Sequence, residues 1–178
     1  SVSVMPCTAK KYEASRPELG RDGYQDVDYV LTTRELAKLI RYVGLDLSVL
    51  PESEFDSPLG TGSGAGAIFG ATGGVMEAAL RTAYFALAGK ELDNKDIEVV
   101  RGHNNAIIEA TIPVPVKELG GKIFEVRVCV VNGCNQGIAE VLHRVRVDKN
   151  RYHFIEVMNC PGGCVNGGGQ PVQPVGTS

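Results

Sequence analysis

Two short apolar runs, at opposite ends of this chain, each terminate on a cysteine-bearing turn. Near the start, Ser1 to Met5 alternates Val2 and Val4 as a short strand does, and leads into Pro6-Cys7-Thr8-Ala9-Lys10. Near the end, His153 to Val157 leads into Met158-Asn159-Cys160-Pro161-Gly162-Gly163-Cys164, and then Val165-Asn166-Gly167-Gly168-Gly169-Gln170-Pro171. Two more apolar runs behave as strands: Val27 to Leu31, and Phe124 to Val131, which is followed by Asn132-Gly133-Cys134. These four strands alternate with helical patterns. That alternation predicts an α/β fold with a mainly parallel, four-stranded sheet and flanking helices. Ligands of such sheets gather outside the strands' carboxyl ends, which is where Cys7, Asn132, Cys134 and Cys160 all fall.

Between the strands the helical signals are specific. Cys7 to Arg16 reads as a short helix ended before Pro17. Thr32 and Glu35 stand at capping-box spacing, and Leu36, Leu39, Ile40 and Val43 share one helical face up to Gly44. Pro51 to Gly74 is loop-like and rich in glycine. Val75 to Ala88 then places Met76, Leu80, Ala83 and Leu87 on one face; Thr72 stands ready to cap it and Gly89 to close it. Asn135 is expected to cap a helix carrying Ile138, Val141, Leu142 and Val145. Ile97 to Arg101 and Ala106 to Val114 predict a small antiparallel hairpin. A length of 178 residues suits one domain, and its core must be mostly aliphatic because the chain has no tryptophan.

Composition excludes several functions. A net charge of −3 without a basic stripe argues against nucleic acid, and no apolar run approaches the roughly 18 residues of a membrane span. No amino-terminal signal segment is evident. Five cysteines, an odd number, argue against a disulfide framework and for a reduced, intracellular setting, cytoplasmic as the expectation with a periplasmic parent as the alternative. Cys129, inside an apolar run, reads as a buried inert thiol, and Cys134 as a turn residue. Gly62-Ser63-Gly64 lacks the Lys-Ser/Thr ending of a phosphate loop. His103, His143 and His153 have no ligand spacing to one another or to a cysteine pair, and read as structural or surface residues.

The two cysteine motifs remain. Cysteine is the usual ligand of iron–sulfur clusters, and these motifs supply three thiolates where a cubane takes four. Cys160 and Cys164 are separated by a gap unlike the two-residue spacing of many zinc knuckles. Gly162 and Gly163 between them allow the backbone to wrap a bulky anion and turn amides toward it. Lys10, three residues after Cys7, lies on roughly the same side of a helix; it is a solvated lysine or a point-charge donor to a buried anion. Met5 and Met158, each two residues before a motif cysteine, are core methionines or a soft wall beside a cofactor. Glu13 reads as a helix-surface or ion-pair acid. With metal bonds as the main restraint, Cys160 to Pro171 and Gly60 to Gly74 are expected to be loosely held without metal.

These motifs, with Phe69-Gly70-Ala71-Thr72-Gly73-Gly74-Val75 between them, resemble the catalytic domain of iron-only (di-iron) hydrogenases over nearly the whole chain. The resemblance implies reversible reduction of protons to dihydrogen, at a 4Fe-4S cubane linked to a di-iron unit with carbonyl and cyanide ligands. It makes Cys7, Cys160 and Cys164 ligands of the cubane, with Cys164 bridging to the di-iron unit. Lys10 then meets a cyanide, Gly70 offers a backbone amide to the cyanides, Phe69 covers the site, and Met5 and Met158 lie on the carbonyl side. The family's further cysteine motif, with a proton-donating cysteine and one cluster ligand, has no counterpart in this sequence. Residues 1–178 are therefore expected to be one lobe of a two-lobed catalytic domain, truncated at both ends, inactive alone and with the cofactor absent or incomplete. The implied partners are an amino-terminal lobe, or a chain supplying it, and an electron carrier such as ferredoxin or an NAD(P)H-linked subunit. Relatives in iron–sulfur assembly share the cysteine skeleton without the di-iron unit, and sensory hydrogenases differ mainly elsewhere. Phe69 to Glu77 favours the hydrogenase branch.

Overall fold

The structure, a computed structural model, describes residues 1–57, 61–101 and 105–172, with Gln136 described in its backbone alone. The chain forms two compact units, Ser1–Thr61 with Asn166–Ser178, and Gly62–Val165. The second is thus inserted into the first.

The first unit comprises β1 (Val2–Met5), α1 (Lys10–Ala14), β2 (Gly20–Arg21), β3 (Tyr24–Gln25), β4 (Tyr29–Thr32) and α2 (Thr33–Tyr42). β1 and β4 are parallel, with Val2 opposite Tyr29 and Met5 opposite Thr32. Parallel neighbours need a crossover, which α1 and the β2–β3 hairpin supply. α1 is shorter than expected: Thr8 and Ala9 form a turn, so Cys7 stands outside any helix. The hairpin turns on Asp22 and Gly23, both at positive φ (54° and 81°). Asp-Gly is a strong sequence signal for that turn. The capping box on α2 is present as expected. Glu35 N–H donates to Thr32 Oγ1 at 3.2 Å and Thr32 N–H donates to Glu35 Oε2 at 2.8 Å. The Thr32 backbone bond, then the Lys11 ammonium, hold the Glu35 carboxyl down at about 2. Among the described residues of this unit, Thr32, Gly167 and Gly169 are buried, and no hydrophobic side chain is.

The second unit comprises α3 (Gly64–Ile68), α4 (Gly74–Ala88), α5 (Asn94–Ile97) continued by a 3-10 turn at Glu98–Val100, β5 (Ile107–Val116), β6 (Lys122–Asn132), α6 (Cys134–Val147) and β7 (Phe154–Met158). The strand order is β5-β6-β7, antiparallel and then parallel. β5 is an edge strand, which accommodates Pro113 and Pro115. The second half of β6, from Val128 to Asn132, is buried on both faces. Val128 and Val130 join Met76, Leu80 and Ile97 on the α4 side, while Cys129 and Val131 join Val141 on the α6 side. Such two-sided burial explains why Val128 to Val131 is an unbroken apolar run. Each fully buried valine there contributes about 1.5–3 kcal/mol.

The chain is α/β, as the sequence predicts. The four expected strands are all present, but as two parallel pairs, β1–β4 and β6–β7, in separate hydrogen-bonded sheets rather than one. β6 has no edge left to offer, because β5 and β7 occupy both of its sides. The expected hairpin is also corrected. The Asp93 side chain accepts from Lys95 N–H and caps α5, so Ile97 to Val100 is helical. The strand at Ile107–Val116 pairs instead with β6, across Gly120-Gly121 at φ 66° and 84°. Asn135 does not cap α6; Gly133 holds that position without a side-chain bond. No helix among the described residues is long and apolar enough to cross a membrane.

Candidate metal centre

β7 ends in buried Met158, and the chain then folds into the Cys160–Cys164 turn. Gly163 N–H donates to Cys160 O at 3.0 Å, and Gly162 N–H donates to Asn132 Oδ1 at 2.7 Å. Thr72 N–H donates to Gly162 O at 3.2 Å, and Val165 N–H to Gly70 O at 3.0 Å. Gly162 and Gly163 lie at φ 83° and 100°, and a Cβ on Gly163 would stand 2.5 Å from Gly70 O and 2.6 Å from Thr72 N. The glycines therefore serve a close approach of two backbone segments. Their amides are engaged by protein acceptors, which corrects the expectation that they face a bound anion. Cys160 is partly buried. Cys164 opens an exposed 3-10 turn (Cys164–Asn166), its Sγ 4.0 Å from Met158 Sδ.

The facing segment runs from Phe69, half exposed at the end of α3, to the start of α4. Gly70 is also required by packing, since a Cβ there would meet Val165 Cγ1 at 2.9 Å. Thr72 does not cap α4. Its hydroxyl donates to Asn132 Oδ1 at 2.9 Å. The cap comes from β7: the Glu156 carboxylate accepts from Gly73 N–H at 2.7 Å and from Met76 N–H at 2.6 Å. A carboxylate suits a helix amino end, and this one is buried. Sequence reasoning placed Asn132 at a strand's carboxyl end without its partners, and missed Glu156. The signal was a charged residue between the apolar Ile155 and Val157, which needs a partner wherever the strand is buried on both faces.

In the first unit, Cys7 follows β1 and is partly buried. The peptide before it is held by the glycine-rich tail. Gly169 N–H donates to Pro6 O at 2.7 Å, and Arg34 binds the tail through its amide to Gly169 O (3.1 Å) and its Nη2 to Gly168 O (2.6 Å). Met5, Lys10 and Glu13 line a cavity of about 310 Å³ with Leu19, Val27 and Val30. Lys10 Nζ contacts both Glu13 oxygens, at 2.7 and 2.6 Å. Lys11 instead joins Glu35 at 2.9 Å and Val30 O at 2.9 Å. Of the two lysines, Lys11 ties elements together and Lys10 faces the cavity. The described parts of both segments expected to be loose are thus tied by the protein's own hydrogen bonds.

The remaining candidates are structural. None of the five cysteines is in a disulfide. Burial, reinforced by Glu109, pushes the Cys129 thiol up to about 11, an inert state at neutral pH. Cys134 starts α6, with its N–H 3.4 Å from Asn159 O. His153 Nδ1 accepts from Arg127 N–H at 2.9 Å, and His143 is exposed on α6. His103 lies outside the described residues.

Residues 1–168 match the family model for the iron-only hydrogenase large subunit, C-terminal domain. The chain belongs to this hydrogenase family. It is 52% identical over 174 residues to the periplasmic Fe hydrogenase large subunit of Nitratidesulfovibrio vulgaris, covering 98% of this chain and 39% of that one. It is 35% identical over 190 residues to Protein NAR1 of Arabidopsis thaliana, covering 99% and 38%. A solved variant of the FeFe-hydrogenase HydA1 from Chlamydomonas reinhardtii superposes with a TM-score of 0.73 at 38% identity, covering 97% of this chain and 49% of that one. The chain therefore spans about two fifths of these curated relatives and half of the solved enzyme. Within the second unit, Cys160 and Cys164 offer soft thiolates with Met158 beside Cys164, and the first unit offers Cys7; thiolates are the donors that iron–sulfur chemistry uses. Among the described residues no three His, Cys, Asp or Glu side chains gather around a single-ion site. A cubane needs no such shell, because it spreads its thiolates over separate irons.

Proposed function

We propose that this chain is a lobe of an iron hydrogenase catalytic domain, acting in the reversible reduction of protons to dihydrogen. The observation that carries it is the closed Cys160–Cys164 turn, whose backbone is interlocked with Gly70 and Thr72 while Cys164 rests on Met158. In the first unit, the Gly169 N–H donates to the peptide oxygen that precedes Cys7. Cys7, Cys160 and Cys164 would hold a 4Fe-4S cubane, with Cys164 also adjoining a di-iron unit. When bound, that group supplies the redox chemistry, and the protein supplies position, burial and charge.

Lys10 gives two ammonium contacts to Glu13 and keeps donor capacity for an anionic ligand in the cavity it shares with Met5. Met5 and Met158 provide apolar, polarisable walls. Phe69, half exposed, stands ready to cover the site, and Gly70 brings backbone close to it. A further lobe, in the same polypeptide or another chain, supplies the fourth ligand and the proton donor, and a ferredoxin or an NAD(P)H-linked subunit exchanges electrons.

The 35% identity to NAR1 over nearly the whole chain favours a second reading, an iron–sulfur assembly protein without the di-iron unit. Infrared spectra of the holoprotein distinguish the two. Carbonyl and cyanide bands are expected; an iron–sulfur cluster without them would establish the second reading instead.

A further inference from the structure

Asn132 ends β6 and is 3% exposed. Its side-chain oxygen accepts from Thr72 Oγ1 at 2.9 Å and from Gly162 N–H at 2.7 Å. A backbone amide is only a donor, so the atom it meets is the carbonyl oxygen and the orientation of the Asn132 amide group is fixed. The other end is fixed too: Asn132 Nδ2 donates to Asn105 O at 3.4 Å and its backbone N–H to Ala106 O at 2.9 Å. One buried oxygen thus registers the Cys160–Cys164 turn against the Phe69–Thr72 segment. Glu156, on the neighbouring strand, fixes the same segment from its far side through Gly73 and Met76.

We infer that Asn132 is a positioning residue that sets the placement of the cysteine turn, with Thr72 as the second arm of its clamp. The inference rests on the proposed role of Cys160 and Cys164 as cluster ligands. It does not require Asn132 to touch the cluster. The turn is closed by the Gly163-to-Cys160 hydrogen bond, and Gly162 ties it to other segments through its N–H to Asn132 and its carbonyl to Thr72. An acceptor shared with a second segment converts two loops into one rigid frame.

The test uses hydrogen exchange of the Gly162 and Thr72 amides in the chain, and the electron paramagnetic resonance signature and reduction potential of the reconstituted holoprotein. Asn132→Ala should accelerate Gly162 exchange by about tenfold or more, the loss of a typical buried hydrogen bond. It should also shift the cluster's signature from wild type. Thr72→Val should give a smaller change in the same direction, and Thr72→Ser should restore wild-type behaviour. Should Asn132→Ala fail to fold, the Val and Ser pair at Thr72 decides the matter alone. Wild-type exchange and a wild-type cluster signature in both Asn132→Ala and Thr72→Val would overturn the inference. A wild-type protein that takes up no cluster even with the lobe that supplies the fourth ligand would overturn the proposed function, and exchange at Gly162 would still judge whether Asn132 holds the turn.

Discussion

Lys10 and Lys11 are neighbours in sequence with different surroundings, because successive helical residues point about 100° apart. Lys11 is consumed by Val30 and the α2 cap, and Lys10 is left facing the cavity with Glu13. In the holoprotein, Lys10→Ala should lower di-iron occupancy while leaving the cubane nearly intact, and Cys7→Ala should lower cubane loading first. Iron counting with infrared and paramagnetic resonance spectra checks both, and normal di-iron occupancy in Lys10→Ala would remove Lys10 from the site. Glu77 offers a pH test. Arg101, then Arg81, hold its carboxyl below the ordinary 4.5. A depressed carboxylate adds stability above its unfolded value and loses it as pH falls through the lower folded value. Glu77→Gln should therefore destabilise the protein at neutral pH, and the difference should shrink over the acid range as pH falls through the lowered Glu77 value. Urea unfolding of both proteins across that range measures it.

Elements show where sequence patterns were legible. The α2 box was readable because Thr32 and Glu35 are three residues apart, and local spacing fixes both partners. α4 was legible as a helix, but its cap was not. Glu156 comes from 80 residues downstream of Met76, and no local pattern announces such a partner. The 97–101 segment looked like a strand because Ile97, Val99 and Val100 are β-branched; a nearby cap and the burial of Ile97 and Val100 outweighed that preference. The cysteine motifs were visible as motifs, yet the reason for their glycines was not, since it lies in a backbone contact with Gly70 and Thr72. Gly163→Ala tests that reason. With φ at 100° and backbone atoms within 2.6 Å, it should cost more than about 1 kcal/mol and reduce iron uptake. Thr32→Ala should cost about 1 kcal/mol through loss of the α2 cap, without touching iron content. Thermal melts and iron assays on both variants separate the two effects.

For the whole molecule, the contrast between the units matters most. Every buried hydrophobic side chain among the described residues belongs to Gly62–Val165, while Tyr24, Tyr42, Leu47, Val49 and Phe55 of the first unit are exposed. A unit without a core leans on something else for stability. That fits the proposal of a further lobe, and it predicts that the isolated chain binds a hydrophobic dye and self-associates. A clean monomer by light scattering, with no dye binding, would count against that proposal. Residues 62–165 produced alone should unfold cooperatively in denaturant with the β6 amides protected, because their core is complete; a non-cooperative transition would refute this.

The bond from Gly169 to Pro6 also sets a clock. A ribosome that has made Pro6 must add 163 more residues before Gly169 exists. At about 5–20 residues per second this takes roughly 8 to 33 seconds. During that interval the inserted unit can fold on its own contacts, while Cys7 waits beside a peptide that has no tail to hold it. Metal offered in that interval would meet a Cys7 whose preceding peptide is not yet held. Loading at Cys7 is therefore expected to follow synthesis of the glycine-rich tail.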